Sequence, residues 1–225
     1  MRRVLFSAAL SLVPKAPLLR RCVPSVATAA SMGPLVVMEQ RRLASHAALS
    51  SALRHELEEE QQRSEKPAKP ELPAGWTLER KPGQMLFTMR KKHEDEEIVI
   101  RCLGEESGDD DVVSLDFDAY ITCNNKALVC RMSFESEEVI MGQVSFLDDA
   151  RLALDDSVEG NQKRQWLYKG PKLDELDERL VDSLTSYLKD RGVNEDLCRF
   201  MEEYFFWAEQ AEYEEWLSAI SRFVS

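Results

Sequence analysis

Groups able to do chemistry are scarce in this chain of 225 residues, apart from its carboxylates. The three histidines, His46, His55 and His93, lie in polar or N-terminal surroundings and do not form the pattern of a catalytic triad or a zinc site. The five cysteines show no C-x-x-C spacing, which indicates reduced thiols without a disulfide framework. The glycine motifs that bind phosphate and the nucleophile elbow G-x-S-x-G are also absent. We therefore expect a protein that is not an enzyme and that binds no metal and no cofactor.

Carboxylates are the abundant reactive groups, and two clusters invite a catalytic or metal-binding interpretation. Asp109-Asp110-Asp111 lacks the glycine and the distal glutamate of a calcium loop. The surroundings of the acid pairs at 148–149 and 155–156 are not expected to raise a pKa far enough for acid–base catalysis. A carboxylate active site of an unrecognised kind is therefore the least favoured of three functional hypotheses.

Charge is distributed unevenly along the chain. Lys and Arg number 29 against 41 Asp and Glu, a formal charge of −12. Residues 1–45 contain seven basic residues and one acid, a charge of +6, which leaves −18 on residues 46–225. A field of this sign attracts basic proteins and repels RNA, whereas solubility alone is the competing explanation. We predict an acidic surface that binds a cationic partner. Its candidate residues are Glu105, Glu106, Asp109, Asp110, Asp111, Asp148, Asp149, Asp155 and Asp156.

Residues 1–45 form a basic leader that contains Ser and Ala, which is typical of a mitochondrial transit peptide. The arginines at 41 and 42 indicate processing near residues 43–46. A secretory signal is the alternative, because Arg2 and Arg3 precede an apolar run and Ala27–Ala30 offers a cleavage site. No uncharged stretch is long enough for a membrane-spanning helix. We favour the mitochondrial matrix as the location.

The rest of the chain predicts one α+β domain at 46–225. Apolar residues at helical spacing predict an N-terminal helix at 46–66, and prolines separate it from a β region at 75–169. Alternating residues predict seven strands, the last a short one at Gln165–Lys169, and links of hairpin length imply antiparallel order. Segment 172–225 predicts two helices that are divided at Gly192, the second capped by Asn194.

Aromatic residues in the last helix predict self-association. Tyr204 to Trp207 are four consecutive aromatics, which at about 100° each sweep most of the helix circumference. One core does not cover all four, so either the N-terminal helix or another subunit must cover the second side. The candidate oligomer or helix-packing residues are Tyr204, Phe205, Phe206, Trp207, Tyr213 and Trp216.

Several segments, in this order, resemble one known family. They are Gly75-Trp76, Lys126–Val129, Tyr187–Val193, Tyr213, Trp216-Leu217 and Phe223-Val224. Together they are similar to the mitochondrial acidic matrix protein family, also called the mitochondrial glycoprotein family, whose human member is the globular-head complement receptor and hyaluronan-binding protein. The resemblance implies a strongly twisted seven-stranded sheet, one N-terminal and two C-terminal helices, and a ring-shaped homotrimer.

The resemblance also implies a function. Family members look like non-enzymatic adaptors or chaperones for basic RNA-associated or ribosomal proteins, and support RNA processing, ribosome assembly and translation in the matrix, with RNA editing as one candidate process. RNA contact would then be indirect. The alternative hypothesis is direct RNA binding through a small basic patch, either Arg90-Lys91-Lys92 or Lys163-Arg164. The loops at 104–111 and 147–164 depart from the family pattern, so the choice of partner does not transfer.

Overall fold

The computed structural model describes residues 34–107 and 113–225, with side chains described at 45–104 and 114–225. Most of the predicted leader and the Asp109–Asp111 cluster lie outside the described residues. The chain divides into a unit of residues 1–43 and a unit of residues 44–225. Of the first unit only the helical backbone of residues 34–43 is described. Everything below concerns the second unit.

The centre of the fold is an antiparallel sheet of six strands whose spatial order follows the chain. Its strands are β1 Thr77–Arg80, β2 Phe87–His93, β3 Glu96–Ser107, β4 Val113–Cys123, β5 Lys126–Glu135 and β6 Glu138–Leu147. Two-residue turns close the last two hairpins, at Asn124-Asn125 and at Ser136-Glu137, and all four residues have positive φ. Paired positive φ values match the twist of the flanking strands. The predicted hairpin links and the antiparallel order are confirmed.

Helices surround the sheet and begin at residues suited to capping. They are α1 Pro34–Gln62, α2 Ala150–Ala153, α3 Val158–Gln165, α4 Glu178–Asp190 and α5 Glu195–Val224, with a 3₁₀ turn at Leu173–Glu175 before α4. Asp149, Ser157, Asp177 and Asn194 each accept a backbone N–H at a helix start. After α4, Gly192 adopts φ +85°, and Val193 N donates to Leu188 O at 3.0 Å. The predicted glycine stop and asparagine cap are confirmed.

The first face of the sheet carries the main core against α4 and α5. Phe117, Ala119 and Ile121 of β4 are buried there, as their alternation predicts. The other core members include Trp76, Phe87, Met89, Ile98, Ile100, Cys130, Met132, Phe134, Leu188, Leu197, Met201 and Tyr204. Each large apolar side chain buried in this way contributes about 1.5–3 kcal/mol. This core fixes the position of α5 on the sheet.

The second face of the sheet is partly covered as well. Val99, Tyr120, Ala127 and Leu147 form a smaller buried cluster with Ala153 of α2. The alternation in β4 predicts a solvated face that includes Tyr120, but Tyr120 is buried. Arg101 lies 4.9 Å from its ring centroid and donates to Leu154 O at 2.6 Å. The prediction is wrong at this residue because the segment after β6 folds back over the sheet.

The predicted seventh strand at Gln165–Lys169 is wrong. Ser157 caps α3, which runs to Gln165, and Arg164 donates to Leu152 O at 2.6 Å. Beyond the helix the chain runs beside β6, where Ser145 Oγ donates to Lys169 O at 2.8 Å. Gly170, at φ +87°, interrupts extension before an isolated bridge between Gln143 and Lys172. One bridge and one side-chain bond hold the segment without making a strand.

Substitution of Gly170 tests this close approach. A Cβ at Gly170 would lie 1.9 Å from Val144 O, whereas at Gly83, with a similar positive φ, it would meet nothing within 4 Å. Left-handed backbone alone costs about 1–3 kcal/mol for a residue with a side chain. We expect Gly170→Ala to lower the free energy of unfolding more than Gly83→Ala, as measured by urea denaturation. Equal losses would show that the contact with β6 contributes nothing.

Candidate functional site

An ion pair joins the β2–β3 turn to the end of α4. Arg191 donates from Nε to Glu96 Oε2 at 2.6 Å and from Nη2 to Oε1 at 3.0 Å. Tyr187 OH donates to Glu96 Oε1 at 2.8 Å, and the Arg191 guanidinium lies 3.2 Å from the centroid of the Tyr187 ring. The hydrogen bond from Arg191 holds the pKa of Glu96 below its usual value. Both charged side chains are mostly buried, so the pair is structural.

The same cluster brings distant parts of the sequence together. Lys91 Nζ donates to Arg191 O at 3.3 Å and lies 5.6 Å from the centroid of the buried Trp76 ring. A Cβ on Gly192 would come within 2.7 Å of Lys91 Nζ. The segments at 75–76 and 187–193, which carry much of the family resemblance, therefore meet at one junction. The contacts at this junction give a structural reason for the residues found in both segments.

The four consecutive aromatics of α5 have different surroundings. Tyr204 packs edge-on to Phe87, with ring centroids 4.9 Å apart, and Phe205 is also buried. Trp207 is half-buried, and Lys69 Nζ lies 4.8 Å from the centroid of its ring. Phe206 remains 38 % exposed. A single chain therefore covers three of the four.

α1 covers the second side of α5 through polar contacts. Tyr213 OH donates to Glu56 at 3.1 Å, and Gln210 Nε2 donates to Glu60 at 2.9 Å. Glu60 is 6 % exposed and also pairs with Arg63 at 3.2 Å. The N-terminal helix thus packs against the long C-terminal helix. Of the six predicted oligomer or helix-packing residues, Phe206 and Trp216 are exposed, Tyr204 and Phe205 are buried, and Trp207 and Tyr213 are half-buried.

The predicted acids at 148–156 serve largely local structure. Asp149 caps α2, and Asp156 pairs with Arg101 at 2.6 Å. Asp155 accepts Ser157 N at 2.9 Å, and this backbone hydrogen bond is the main cause that lowers its pKa. Asp148 is exposed and lies 3.8 Å from Lys126. Glu105 and Glu106 lie in β3, whose backbone alone is described there, and Asp109–Asp111 fall outside the described residues.

A set of free carboxylates that the sequence analysis did not single out lies at the start of α4. We call it the α4 acidic face, and it comprises Asp174, Glu175, Glu178 and Asp182. All four side chains are exposed, and within the described part of the chain none takes part in an ion pair. Beside them Leu180 is 47 % exposed. The spacing of four between Glu178 and Asp182 was the available signal, since such residues share one side of a helix, whereas Asp174 and Glu175 lie in the 3₁₀ turn just before α4.

The predicted basic patches are only partly free. Arg90 pairs with Glu97 at 3.1 Å, and Lys91 is held at the junction with Arg191. Lys163 pairs weakly with Glu159 at 3.7 Å, and Arg164 is bonded to backbone carbonyls. Phosphate binding at these sites would compete with existing contacts.

Two buried thiols are unsuited to nucleophilic chemistry. Cys102, Cys130 and Cys198 are buried and form no disulfide with one another. Burial raises the pKa of Cys130 and of Cys198 to about 12. A thiol with such a pKa stays protonated and inert at neutral pH. Cys130 therefore serves as a small buried hydrophobe.

The described residues contain neither a metal-binding cluster nor a helix that could span a membrane. No group of three or more His, Cys, Asp or Glu side chains there has the arrangement needed to hold a metal ion. In the same part of the chain no helix has the length and apolar character required to cross a bilayer.

The junction of Glu96 with Arg191 predicts a pH-dependent contribution to stability. Because the folded pKa of Glu96 is lowered, its contribution is complete above the unfolded pKa and is lost as pH falls through the folded value. We expect Glu96→Gln to lower the free energy of unfolding at pH 7 by about 1.5–3 kcal/mol, since the charge that strengthens the hydrogen bonds from Arg191 is removed. The gap to the unmodified protein should narrow as pH falls below the ordinary pKa of a glutamate and through the lowered folded value.

The control for this experiment is Glu79→Gln, which removes an exposed β1 carboxylate without an ion pair to any described residue. It should change the free energy of unfolding little at every pH, as measured by urea denaturation. A gap for Glu96→Gln that stays constant as the carboxylates of the protein are titrated with acid would contradict the assignment.

Comparison with known proteins places the chain in a family. Residues 103–224 match the family model described as mitochondrial glycoprotein, MAM33. The mitochondrial acidic protein mam33 of Schizosaccharomyces pombe is 29 % identical over 126 residues, which cover 53 % of this chain and 47 % of that protein. The match thus spans about half the length of this curated relative.

Two solved structures are similar over most of the chain. The crystal structure of the Trypanosoma brucei p22 protein has a TM-score of 0.78 and 47 % identity, and the match covers 81 % of this chain and all of that one. A Leishmania major protein described as a sequence homologue of human p32 has a TM-score of 0.73 and 42 % identity, covering 80 % and 99 %. The chain therefore belongs to the mitochondrial glycoprotein (MAM33) family of mitochondrial acidic proteins.

Proposed function

We propose that this protein is a non-enzymatic acidic adaptor of the mitochondrial matrix, which assembles as a ring-shaped homotrimer and binds Lys- and Arg-rich proteins of RNA metabolism. The observation that carries the proposal is the excess of exposed carboxylates, which culminates in the α4 acidic face. The processes it would support are RNA processing, with editing as one candidate, ribosome assembly and translation. These follow from the family resemblance alone.

Charge supports binding to a cationic partner. Residues 46–225 carry −18, and three copies would carry −54. Exposed charges act over a Debye length of about 8 Å at physiological salt, so an unpaired acidic face attracts basic proteins before contact. The acids at 148–156 add less, because three of them are already bonded within the chain. The predicted Glu105, Glu106 and Asp109–Asp111 remain part of the proposed surface.

Exposed apolar side chains on the two C-terminal helices support the homotrimer. Trp216 is 55 % exposed, and Phe223, one heptad further along α5, is 89 % exposed. Leu180 of α4 is also half exposed, although it lies on the apolar side of a strongly amphipathic helix. Trp216 and Phe223 share one side of α5, and large apolar side chains left exposed in this way on a small domain mark an interface. Further copies of the chain are the occupants we propose.

The basic segment at 1–45 supports a matrix location. Its charge of +6 and its lack of acids other than Glu39 suit a transit peptide. We propose processing near residues 43–46, which would release the acidic domain. Membership of a family of mitochondrial proteins is consistent with this address.

The α4 acidic face is tested by neutralising its four charges. Each exposed charge contact contributes about 0.2–1 kcal/mol, so loss of four should weaken binding by about fourfold or more. The probe is a fluorescent 20-residue peptide of alternating Arg and Ser, and binding is followed by anisotropy at low salt. The substitutions are Asp174→Asn, Glu175→Gln, Glu178→Gln and Asp182→Asn.

A matched control removes the same charge from exposed acids elsewhere. Its substitutions are Glu58→Gln, Glu65→Gln, Glu71→Gln and Glu79→Gln.

A third variant neutralises the predicted loop surface. Its substitutions are Asp109→Asn, Asp110→Asn, Asp111→Asn and Asp148→Asn. If all three sets weaken the peptide equally, only the general field acts and no face is specific. If none weakens it, the charge serves solubility and the adaptor proposal fails.

The natural partner is identified by capture of the tagged protein from isolated mitochondria, with and without RNase and at low and moderate salt. The proposal expects basic RNA-processing or ribosomal proteins that survive RNase and leave with salt. Partners that all leave with RNase would instead indicate contact through RNA.

The interface on α5 is tested by light scattering at micromolar concentration. We expect the unmodified protein to be a trimer and the double variant Trp216→Glu, Phe223→Glu to dissociate, because two charges would be buried in an apolar contact. Leu86→Glu is the control, since Leu86 is 52 % exposed on a loop before β2. A trimer that persists in the double variant would place the interface elsewhere, and an unmodified monomer would refute it.

A further inference from the structure

A cavity of about 320 Å³ opens on the second face of the sheet. Its floor consists of side chains from β4, β5 and β6 that pair across the strands, with Asp118 beside Arg131 and Arg131 beside Gln143. Asn161 and Arg164 of α3 and Tyr168 line the opposite side. The lining combines aromatic, amide and cationic groups. It lies on the other face of the sheet from the core that holds α4.

Residues 164, 165 and 167–169 line this cavity, and we call the segment 163–172, which contains them and the neighbouring Trp166, the rim segment. Trp166 is 89 % exposed and Tyr168 is 78 % exposed. The backbone between and after them is fixed by Ser145 donating to Lys169 O and by the close approach of Gly170 to Val144 O. Two large rings are thus held out into solvent on an anchored backbone. Nothing in the packing of the single chain requires them there.

The charge of the rim segment is opposite to that of the protein. It contains four cations, Lys163, Arg164, Lys169 and Lys172, and no acid, in a chain of net charge −12. Lys169 and Lys172 are exposed, and neither forms an ion pair with another described residue. Arg131, on the floor of the cavity, has a side chain that is 62 % exposed, and its Nε forms an ion pair with Asp118 at 3.2 Å. Two free lysines therefore follow the exposed rings along the chain.

Solvent-exposed aromatics interleaved with lysines suit a flexible polyanion that carries planar groups. Single-stranded nucleic acid meets both requirements, because its bases stack on aromatic rings and its phosphates pair with cations. An acidic peptide would use the lysines but would leave the rings without flat partners. A duplex keeps its bases stacked internally and would likewise leave them bare.

We propose that the rim segment binds single-stranded RNA, with bases stacked on Trp166 and Tyr168, phosphates on Lys169 and Lys172, and one nucleotide reaching the cavity beside Arg131. The acidic field of the protein opposes this binding, so affinity depends on stacking. The site is separate from the α4 acidic face and does not require the adaptor proposal.

The test uses the full chain and a fluorescein-labelled 12-nucleotide oligouridylate, with anisotropy measured at 50 mM salt. The double variant Trp166→Ala, Tyr168→Ala should bind about tenfold or more weakly, since stacking is worth that much per base. Trp166→Phe with Tyr168→Phe should restore most of the affinity. Lys169→Gln with Lys172→Gln should make the slope of log K against log salt shallower by about 1.4, because single-strand contacts contribute about 0.7 each.

Matched controls separate stacking from charge. Phe146→Ala removes another exposed ring, which also has a lysine, Lys126, 5.9 Å from its centroid, and should leave RNA affinity unchanged. An abasic 12-mer should bind more weakly than the oligouridylate, whereas phosphate contacts from the basic residues 1–45 would affect both probes alike.

Four results would overturn the proposal. These are no measurable oligouridylate binding, equal binding by the alanine variant, equal binding of the abasic strand, and equally tight binding of a 12-residue polyglutamate that is lost in the same variants. The last would assign the rim segment to an acidic protein.

Discussion

The pairing of Glu96 with Arg191 is the polar constraint that ties the end of α4 to the sheet, beside the apolar core that holds α5. Glu96 begins β3 at the tip of a hairpin, and Arg191 ends α4 where the chain turns into α5. Two hydrogen bonds from the guanidinium fix both its direction and its distance, which a single point charge does not do. The turn at Gly192 then sets the line along which α5 crosses the sheet. The direction of α5 after this turn determines which of its residues meet the sheet.

The remaining elements are attached to α5 largely through carboxylates. Glu212 of α5 accepts Arg80 at 2.5 Å and Gly83 N at 3.1 Å, which ties down the β1–β2 loop. Glu214 accepts Lys66 at 2.6 Å, which holds the connection after α1. The pKa of each of these two glutamates is lowered, first by the hydrogen bond from its cation. The acids of this protein thus fall into two populations, one that builds the fold and one that is free to face a partner.

Sequence patterns predicted most of the sheet and the helix ends, because those depend on local chemistry. Alternation in β4, the asparagine turn and the cap at Asn194 each have one dominant physical cause. The region after β6 was harder: Asp149 and Ser157 start short helices inside a polar run that has no apolar period to reveal them. Gly160 also lies close against Asp155, where a Cβ would come within 2.4 Å. Tertiary contacts, and not periodicity, decide the structure there.

The candidate site could be predicted only in part for a related reason. Counting acids does not distinguish Asp155, whose carboxylate is used by Ser157, from Glu178, whose carboxylate is free. Hydrogen bonding decides which charges remain available, and it is visible only in three dimensions. The aromatic run at 204–207 is unusual, yet the main core buries Tyr204 and Phe205, and Lys69 lies over the ring of Trp207. Nothing in the sequence indicated that Trp166 and Tyr168 are exposed, because a short strand at Gln165–Lys169 would have accounted for both aromatic residues.

The rim segment and the α4 acidic face place opposite charges on one small protein, and the balance between them has a consequence for selectivity. A polyanion that approaches residues 46–225 meets a body of charge −18, so phosphate contacts with two lysines do not suffice to hold it. Stacking of bases on exposed aromatic rings depends little on that electrostatic field. Only unpaired bases have faces free to stack on the rings. The acidic body would therefore reject duplex and featureless polyanions while it tolerates single strands. An excess of acid that opposes nucleic acid in general can in this way sharpen recognition of one form of it.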